Sequence, residues 1–474
     1  MEPDSRRPRI AVVGGGVSGL TAARELAVSG ADVVVIEGAD RLGGRIRGAS
    51  IAGVTIDIGA ESFATRGGTV AALIDDLGMT DQIVRPAPLG SWVIDGPRSI
   101  PLPAAGTLGI PAAPLSRATV RALGAPGALR AAIEPLLPRS IGRDAASLAE
   151  LVRARLGSRA LHRLVRPVAL GVYSSDPDRL GVTTVPGLAD AFAKRGTLIA
   201  AARDVRGGQA AAGGAVAGLR GGMTQLIAGL EADLARLGVT VRRGAKVRRL
   251  QEPSAVHDTA HAWRLLGDDD AVLAEVDGVV LAVPENVARR LVGESGTAGQ
   301  TTDRIEVVAL AIDDPRLDRA PRGTGALVAR DAVGAASKRG GEAAPILAKA
   351  LTHVTAKWPE RAREAGPGRH IVRLSYGRAG SAPETVGLDD AEVRSIARYD
   401  ASRILGIDIR ADTVVDLVRC TWRMGHPPGS RDARPVVAPP GVTLAGDWVS
   451  GTGLAAIVQG AREAAVAALT AVSH

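Results

Sequence analysis

Near its start the sequence passes from a short apolar stretch, Ile10–Val13, into the glycine pattern Gly14-x-Gly16-x-x-Gly19. In such a pattern the first glycine permits a tight turn, the second lets the backbone approach a pyrophosphate, and the third lets helix and strand pack closely. A helix that begins at this turn directs its free N–H groups at the phosphates. The pattern therefore predicts the first βα turn of a dinucleotide-binding domain. The candidate pyrophosphate-binding residues are Gly14, Gly15, Gly16, Val17, Ser18 and Gly19.

A second strand and an acidic residue complete a βαβ unit. Apolar residues recur at helical spacing over residues 16–29, and Gly30 is placed to end that helix. The stretch Asp32–Ile36 is mostly valine, as expected for a buried strand of a parallel sheet. Glu37 follows directly, with Gly38 beside it, and its carboxylate can accept hydrogen bonds from ribose hydroxyls. The alternative, a tight turn followed by a surface glutamate, explains less of this order of elements.

A second glycine turn follows in the pattern Glu37-x-x-x-Arg41-x-Gly43-Gly44-Arg45. It brings backbone and the Arg45 guanidinium towards the same dinucleotide. Domains that bind only NAD have no need of such a turn, so it favours a flavin dinucleotide. An arginine-rich surface loop remains the alternative.

Two later segments suit the flavin end of such a cofactor. Asp57–Phe63 offers small and polar residues at the end of a strand, where they can line a flavin ring. Val442–Ala445 is predicted to be a strand that leads to Asp447 and, through the glycine-rich residues 451–455, to a final helix. The N-terminus of that helix would stabilise negative charge on a reduced flavin. A terminal helix without a cofactor role is the alternative for this segment alone, but the segments together predict FAD.

The composition limits the other functions. The 474 residues, 46% of them apolar, are enough for two or three packed lobes. The net charge is +8, and only five of the 58 basic residues are lysine. We find no dense basic run with interleaved aromatics, so nucleic-acid binding is not expected. The skew towards arginine, with abundant alanine and glycine, is typical of GC-rich coding, and a substrate with carboxylates is the more economical reason for arginines in a cleft.

Cysteine and histidine usage argues against metals and disulfides. The single cysteine, Cys420, excludes an internal disulfide, and the seven histidines lack metal-ligand spacing, so no metal is expected. The first residues lack the apolar core of a signal peptide. No apolar run approaches the roughly 20 residues that a spanning helix needs. We therefore expect a cytoplasmic protein.

The order of elements predicts an α/β fold with a discontinuous Rossmann-like FAD-binding domain, a mixed-sheet substrate-binding domain and an inserted helical lobe. We assign residues 1–60, 215–290 and 430–474 to the first, 61–103 and 291–429 to the second, and 104–214 to the helical lobe. Residues 92–101 predict a hairpin around Asp95-Gly96, and residues 239–250 predict a strand or a hairpin.

Four stretches of the sequence resemble the flavin amine oxidase superfamily: residues 14–19, 37–45, 219–223 and 444–447. Three more are similar to bacterial porphyrinogen oxidases, above all the soluble branch of Gram-positive bacteria: residues 57–66, 100–111 and 165–180. The similarity spans nearly the whole chain and is weakest over residues 255–275 and 330–345.

The resemblance implies a role for each matching position. Residues that would hold the ADP half of FAD are Gly14 to Gly19, Glu37, Gly38 and Arg45, with Val247 contacting adenine through its backbone. Residues that would surround the ribityl chain and the flavin ring are Gly59, Ala60, Glu61, Ser62, Trp422, Asp447, Gly453, Leu454 and Ala455.

The reaction that the resemblance implies is the six-electron oxidation of coproporphyrinogen III to coproporphyrin III in haem biosynthesis, with three O2 reduced to three H2O2. No side chain stands out as an obligatory base, so the catalytic residues stay unassigned. The implied partners are the porphyrinogen, O2 and the downstream enzyme ferrochelatase, and a weak peripheral membrane contact stays open. The alternatives are oxidation of protoporphyrinogen IX, another amine oxidase or desaturase activity, and a flavoprotein that only carries porphyrin.

The propionates of such a substrate need cationic partners. Arg66 and Arg98 are candidates, because Arg66 follows the predicted flavin-lining strand and Arg98 lies on the predicted hairpin. Tyr173 in the helical lobe is a candidate wall of the substrate pocket. Ordinary solvated arginines are the alternative.

Overall fold

The computed structural model describes residues 7–103, 107–173, 175–185, 187–206, 216–252, 263–294, 303–329, 344–378, 381–425 and 435–472. The strands are β1 (Arg9–Val13), β2 (Asp32–Ile36), β3 (Gly48–Ile51), β4 (Val54–Asp57), β5 (Phe63–Ala64), β6 (Ile83–Val84), β7 (Trp92–Asp95), β8 (Arg98–Pro101), β9 (Val216–Leu219), β10 (Thr240–Arg242), β11 (Arg249–Gln251), β12 (Trp263–Leu266), β13 (Val272–Val276), β14 (Gly278–Leu281), β15 (Asp303–Asp313), β16 (Gly325–Val328), β17 (Ala350–His353), β18 (Arg369–Tyr376), β19 (Val414–Met424) and β20 (Val442–Leu444). The helices are α1 (Val17–Val28), α2 (Thr69–Asp76), α3 (Arg117–Ala132), α4 (Leu148–Leu156), α5 (Ser158–Ala160), α6 (Arg166–Tyr173), α7 (Leu188–Arg195), α8 (Leu198–Arg206), α9 (Thr224–Arg236), α10 (Glu285–Leu291), α11 (Val354–Lys357), α12 (Pro359–Ala365), α13 (Asp390–Leu405), α14 (Asp447–Ser450) and α15 (Leu454–Val472).

A five-stranded parallel sheet in the order β10-β2-β1-β14-β20 forms the nucleotide-binding layer. Buried apolar side chains of α1, α9 and α15 cover one face, and the antiparallel sheet β11-β12-β13 covers the other. The predicted βαβ unit over residues 9–37 is confirmed, and so are the predicted strand and helix near the C-terminus. The carboxyl ends of β1, β2 and β20 therefore share one edge of the sheet.

Residues 239–250 do not form a hairpin. The strand β10 pairs in parallel with β2, whereas β11 pairs with β12 in a different sheet. The two strands in this segment pair with different partners from elsewhere in the chain. The prediction of a single strand or a hairpin was wrong for this reason.

A mixed seven-stranded sheet in the order β19-β15-β18-β17-β16-β7-β8 forms the second layer. Its strands are antiparallel except where β16 meets β7. The predicted hairpin at residues 92–101 is confirmed as β7 and β8. Helix α13 packs on one face, and the hairpin β3–β4 packs on the other through Ile51, Val54 and Ile56. After this hairpin the chain passes through β5 and α2 before it enters the mixed sheet at β7.

The helical lobe has its own core, built from α3 to α8. Its centre holds a fully buried ion pair, since the side chains of Arg155 and Glu134 are both 0% exposed, with Arg155 Nη2 2.6 Å from Glu134 Oε1. Arg155 also donates to the carbonyls of Pro138 and Gly196, and Glu134 accepts from the backbone N–H of Leu198. These bonds tie three separate segments of the lobe together.

Residues 61–103 contribute to both layers. Helix α2 packs into the core of the parallel sheet, whereas β7 and β8 join the mixed sheet. The α/β fold class is confirmed, and the domain boundaries above stay predictions. Contrary to the expectation from sequence, one helix among the described residues, α15, is long and apolar enough to cross a membrane by length and composition, with 19 residues and a mean hydropathy of 1.3. One side of α15 nevertheless packs into the protein core, including Val458 and Ala461.

Candidate active site

The two predicted glycine turns are in direct contact. The Gly43 N–H donates to the Gly15 carbonyl at 2.8 Å, and Gly16 and Gly43 form a parallel bridge. Gly16 precedes the first turn of α1, which has no side-chain cap and no acidic residue. The N–H groups of that turn are thus left for an anion, and Val17, Ser18 and the close-packed Gly19 follow within the helix.

The predicted ribose and adenine residues lie next to this turn. The Glu37 carboxylate accepts from the Gly15 N–H at 2.6 Å and from the Ala39 N–H at 2.7 Å, so it is held at the end of β2. The Ala245 N–H donates to the Glu37 carbonyl at 3.0 Å. This bond places the buried Val247 and its neighbours close to Gly38. The adenine-end residues are therefore brought together by long-range contacts.

Arg45 connects the glycine turns to the predicted flavin end. The Ala60 N–H donates to its backbone carbonyl at 3.2 Å. Its guanidinium lies 2.9 Å from Asp447 Oδ2. Gly59 has no room for a side chain, because a Cβ there would overlap the same Arg45 carbonyl. The start of the chain, the segment after β4 and the segment after β20 thus meet around one arginine.

The remaining predicted flavin residues border the same place. The Trp422 indole N–H donates to the Ile58 carbonyl at 3.2 Å, which sets the tryptophan of β19 against the start of the segment Gly59–Ser62. Gly453 accepts from the Ile457 N–H at 3.1 Å and so begins the first turn of α15, followed by Leu454 and Ala455.

Two unsatisfied hydroxyl groups fit a bound dinucleotide. Among the described residues, four buried hydroxyl groups have no hydrogen-bond partner, those of Ser18, Thr21, Tyr376 and Thr452, and Ser18 and Thr452 are the two at the predicted cofactor site. Ser18 lies in the first turn of α1, and Thr452 lies just before the first turn of α15. Buried polar atoms normally have partners, and FAD offers pyrophosphate and ribityl oxygens for both positions. The residues present therefore fit FAD at both ends.

A charged cluster that the sequence patterns do not reveal lies next to the predicted flavin-lining segment. Glu61 forms ion pairs with Lys357, at the end of α11, and with Arg373, on β18, whose Nη1 lies 3.0 Å from Glu61 Oε2. Burial by itself raises the pKa of Glu61, but Lys357 and Arg373 outweigh burial and hold that pKa below its usual range. The only available signal was the rarity of lysine, which makes Lys357 conspicuous.

Asp57 is the second acidic residue next to this cluster. Its carboxylate accepts from the Met223 N–H at 3.0 Å. Burial raises the pKa of Asp57 to about 6, and the nearby Glu61 charge adds to the rise. A small cavity of about 40 Å³ lies beside Asp57 and Glu61 and extends to Arg85 and Arg361. It has room for ordered water.

The raised pKa of Asp57 predicts a pH dependence of stability. The folded state keeps the proton up to about pH 6, whereas the unfolded chain releases it near pH 4. The stabilisation from this group is therefore complete below about pH 4 and is lost as the pH rises through about 6. We expect Asp57→Asn to lack this pH-dependent loss. The unfolding free energy of the variant, relative to that of the wild type, should therefore rise by up to about 3 kcal/mol as the pH increases between these two limits. Urea unfolding at both pH values measures it, and identical pH profiles for the two proteins would contradict it.

The predicted substrate residues lie on three different segments of the chain. The exposed Arg66 donates from Nη1 to the Val205 carbonyl in α8 at 2.5 Å, so it bridges the segment after β5 to the helical lobe. Arg98 is exposed on β8, at the edge of the mixed sheet. Tyr173 ends α6, but its side chain lies outside the described residues. Binding of propionate by these residues stays a prediction.

Comparison with known proteins identifies the family. The profile of the flavin-containing amine oxidoreductases matches residues 17–472. The chain belongs to this family. As a flavin-containing amine oxidoreductase, it is an FAD-dependent oxidoreductase, which confirms the cofactor predicted from the sequence.

Several relatives are similar over nearly their whole length. The chain is 32% identical to coproporphyrinogen III oxidase of Mycobacterium leprae over 96% of both chains. It is 25% identical to the protein of the same name from Bacillus subtilis over 98% of both chains. These relatives confirm the resemblance to bacterial porphyrinogen oxidases.

Solved structures share the same fold. A structure described as a protoporphyrinogen oxidase from Exiguobacterium sp. 255-15 superposes with a TM-score of 0.77 at 23% identity, covering 99% of this chain and 100% of that one. Putrescine oxidase bound to putrescine superposes with a TM-score of 0.61 at 17% identity, covering 98% of both chains. At these identities the likeness establishes the fold of this flavin-containing amine oxidoreductase.

Proposed function

We propose that the protein oxidises coproporphyrinogen III to coproporphyrin III in the cytoplasm, with O2 as the electron acceptor. The observation that carries this proposal is the match to coproporphyrinogen III oxidases at 25% and 32% identity over nearly the full length of each chain. A likeness confined to the nucleotide-binding layer would leave the substrate open, but this one includes the mixed sheet and the helical lobe.

The residues of the chain have distinct tasks in this reaction. The glycine turns, Glu37 and Arg45 hold the dinucleotide, and Asp447 and the start of α15 close the site from the other side. When bound there, FAD would supply two-electron oxidation, with O2 as the final electron acceptor. The protein orients the macrocycle and keeps water out. Three rounds remove six hydrogens from the substrate, and three O2 become three H2O2.

The choice between the two porphyrinogen substrates depends on their negative charge. Coproporphyrinogen III carries four propionates, whereas protoporphyrinogen IX carries two. An excess of arginine and a net charge of +8 suit the more acidic substrate. Arg66 and Arg98 are the proposed propionate partners, and ferrochelatase is the proposed consumer of the product.

The decisive experiment is an aerobic assay of the purified, FAD-loaded protein with each porphyrinogen. We expect porphyrin fluorescence to rise much faster with coproporphyrinogen III than with protoporphyrinogen IX, with three O2 consumed per porphyrin. A reaction without protein corrects for spontaneous oxidation. Loss of the oxidised flavin absorbance under anaerobic substrate separates an oxidase from a porphyrin carrier. Porphyrin formation at the spontaneous rate by FAD-loaded protein would refute the proposal.

A further inference from the structure

In the segment from Asp57, the last residue of β4, to Ser62, the N–H groups of Ile58 and Ala60 donate to the carbonyls of Arg47 and Arg45, but the segment does not continue as a regular strand. Its backbone carbonyls therefore need partners from elsewhere, because a buried unpaired carbonyl is costly. The three consecutive carbonyls of Asp57, Ile58 and Gly59 all accept from side chains of the mixed sheet. Trp422 on β19 binds the middle one, and Arg373 on β18 binds the other two.

Arg373 contacts this segment at three points. Its Nη1 donates to the Asp57 carbonyl at 2.5 Å and to Glu61 Oε2 at 3.0 Å, and its Nη2 donates to the Gly59 carbonyl at 3.3 Å. A planar guanidinium presents its donors in a rigid fork that suits these three acceptors, whereas an ammonium group is a compact point charge. The identity of this residue as arginine is therefore matched to the shape of the segment.

The strand that carries Arg373 is a rigid support. Within the sheet, Arg373 pairs with Ala309 of β15 on one side and with Thr352 of β17 on the other. Glu61 and Arg373 are 12% and 13% exposed, so both charges are largely removed from water. Lys357 provides a second cation for the same carboxylate. Removal of one member would leave an uncompensated buried charge.

We propose that Arg373 is a positioning residue that fixes the segment Asp57–Ser62 for the flavin, and that Glu61 and Lys357 set the charge which the flavin experiences there. The proposal rests on the placement of Gly59–Ser62 at the flavin end of the site, and it does not depend on which substrate is oxidised. Arg373 acts through the segment and through Glu61, not through contact with the reacting atoms.

The first test compares Arg373→Lys with Arg369→Lys in the FAD-reconstituted protein. Arg369 lies on the same strand, but the side chain of its partner Asp313 is 42% exposed, so it is a matched control. Loss of a charged hydrogen-bond set predicts an FAD Kd that rises by about tenfold or more in Arg373→Lys and stays unchanged in Arg369→Lys. Fluorescence titration of the apoprotein measures both. An Arg373→Lys variant with wild-type affinity and a wild-type flavin potential would overturn the positioning role.

The second test measures the flavin reduction potential in two variants that change charge but preserve side-chain size. Glu61→Gln removes an anion and should raise the potential, since reduced flavin carries negative charge. Lys357→Met removes a cation and should lower it. A purely structural role would give no opposite signs, and shifts that are absent or of the same sign would overturn the proposal. These two reduction potentials still test the proposal if Arg373→Lys does not fold. They need no porphyrinogen, so failure of the proposed function would be seen separately in the oxidase assay.

Discussion

Gly16→Ala is expected to give a folded protein that has lost most of its affinity for FAD. Gly16 adopts φ −78° and ψ 175°, an extended conformation that alanine also adopts readily. A Cβ at this position would meet only the Gly44 Cα, at 3.9 Å. The methyl group therefore costs the folded chain little, yet it occupies the turn where the backbone must approach the pyrophosphate. Overpacking of this kind predicts an FAD Kd at least about tenfold higher.

Gly19→Ala provides the contrast for this experiment. Its Cβ would overlap the Gly14 carbonyl, far inside contact distance, so we expect a loss of soluble, folded protein. Circular dichroism melting and FAD titration of the two variants separate a binding defect from a folding defect. If Gly16→Ala bound FAD as tightly as the wild type, the pyrophosphate would have to lie elsewhere.

Glu134→Ala should destabilise the helical lobe by about 3–5 kcal/mol, because it leaves Arg155 charged and buried without its partner. Arg155 and Glu134 are both fully buried, and Glu134 also accepts from the N–H groups of Leu198 and Ile199 at the start of α8. Urea unfolding of the two proteins at a fixed pH measures the change. The FAD Kd of the folded protein should stay unchanged, since this pair belongs to a core separate from the nucleotide layer.

Two further variants test whether the unpaired buried charge causes the loss of stability in Glu134→Ala. The double replacement Glu134→Leu with Arg155→Met removes both charges and should recover much of the lost stability. Asp204→Ala breaks the exposed pair with Arg195 in the same lobe and should leave the urea midpoint unchanged. A double variant that is less stable than Glu134→Ala would show that hydrogen bonds, not charge, dominate at this site.

The sequence predicts the local parts of the cofactor site well. The unit β1–α1–β2 is determined by periodicity and by glycines that are close together in the chain, so a sequence pattern is enough to find it. The same holds for the hairpin β7–β8, although its turn residues are Gly96 and Pro97, one position later than the predicted Asp95-Gly96. Glu37 was found because its place follows directly from the end of β2.

The sequence does not predict contacts that depend on strand order. Lys357 and Arg373 reach Glu61 only because β17 and β18 lie where the mixed sheet places them, and no spacing in the chain encodes that distance. The run over residues 239–250 shows the same limit, because its two halves join different sheets. In the first case the strand order brings the side chains together, and in the second case pairing with distant strands overrode the local pattern.

The ion pair between Arg45 and Asp447 joins two distant parts of the chain, and this affects how the cofactor site forms during synthesis. During translation the glycine turns leave the ribosome early, whereas β20 and the start of α15 emerge only after the mixed sheet and the helical lobe have been made. Domains generally fold as units while synthesis proceeds. A nascent chain can therefore build the pyrophosphate turn without the opposing wall of the site. Tight capture of the vitamin-derived coenzyme must then wait until that late segment has docked.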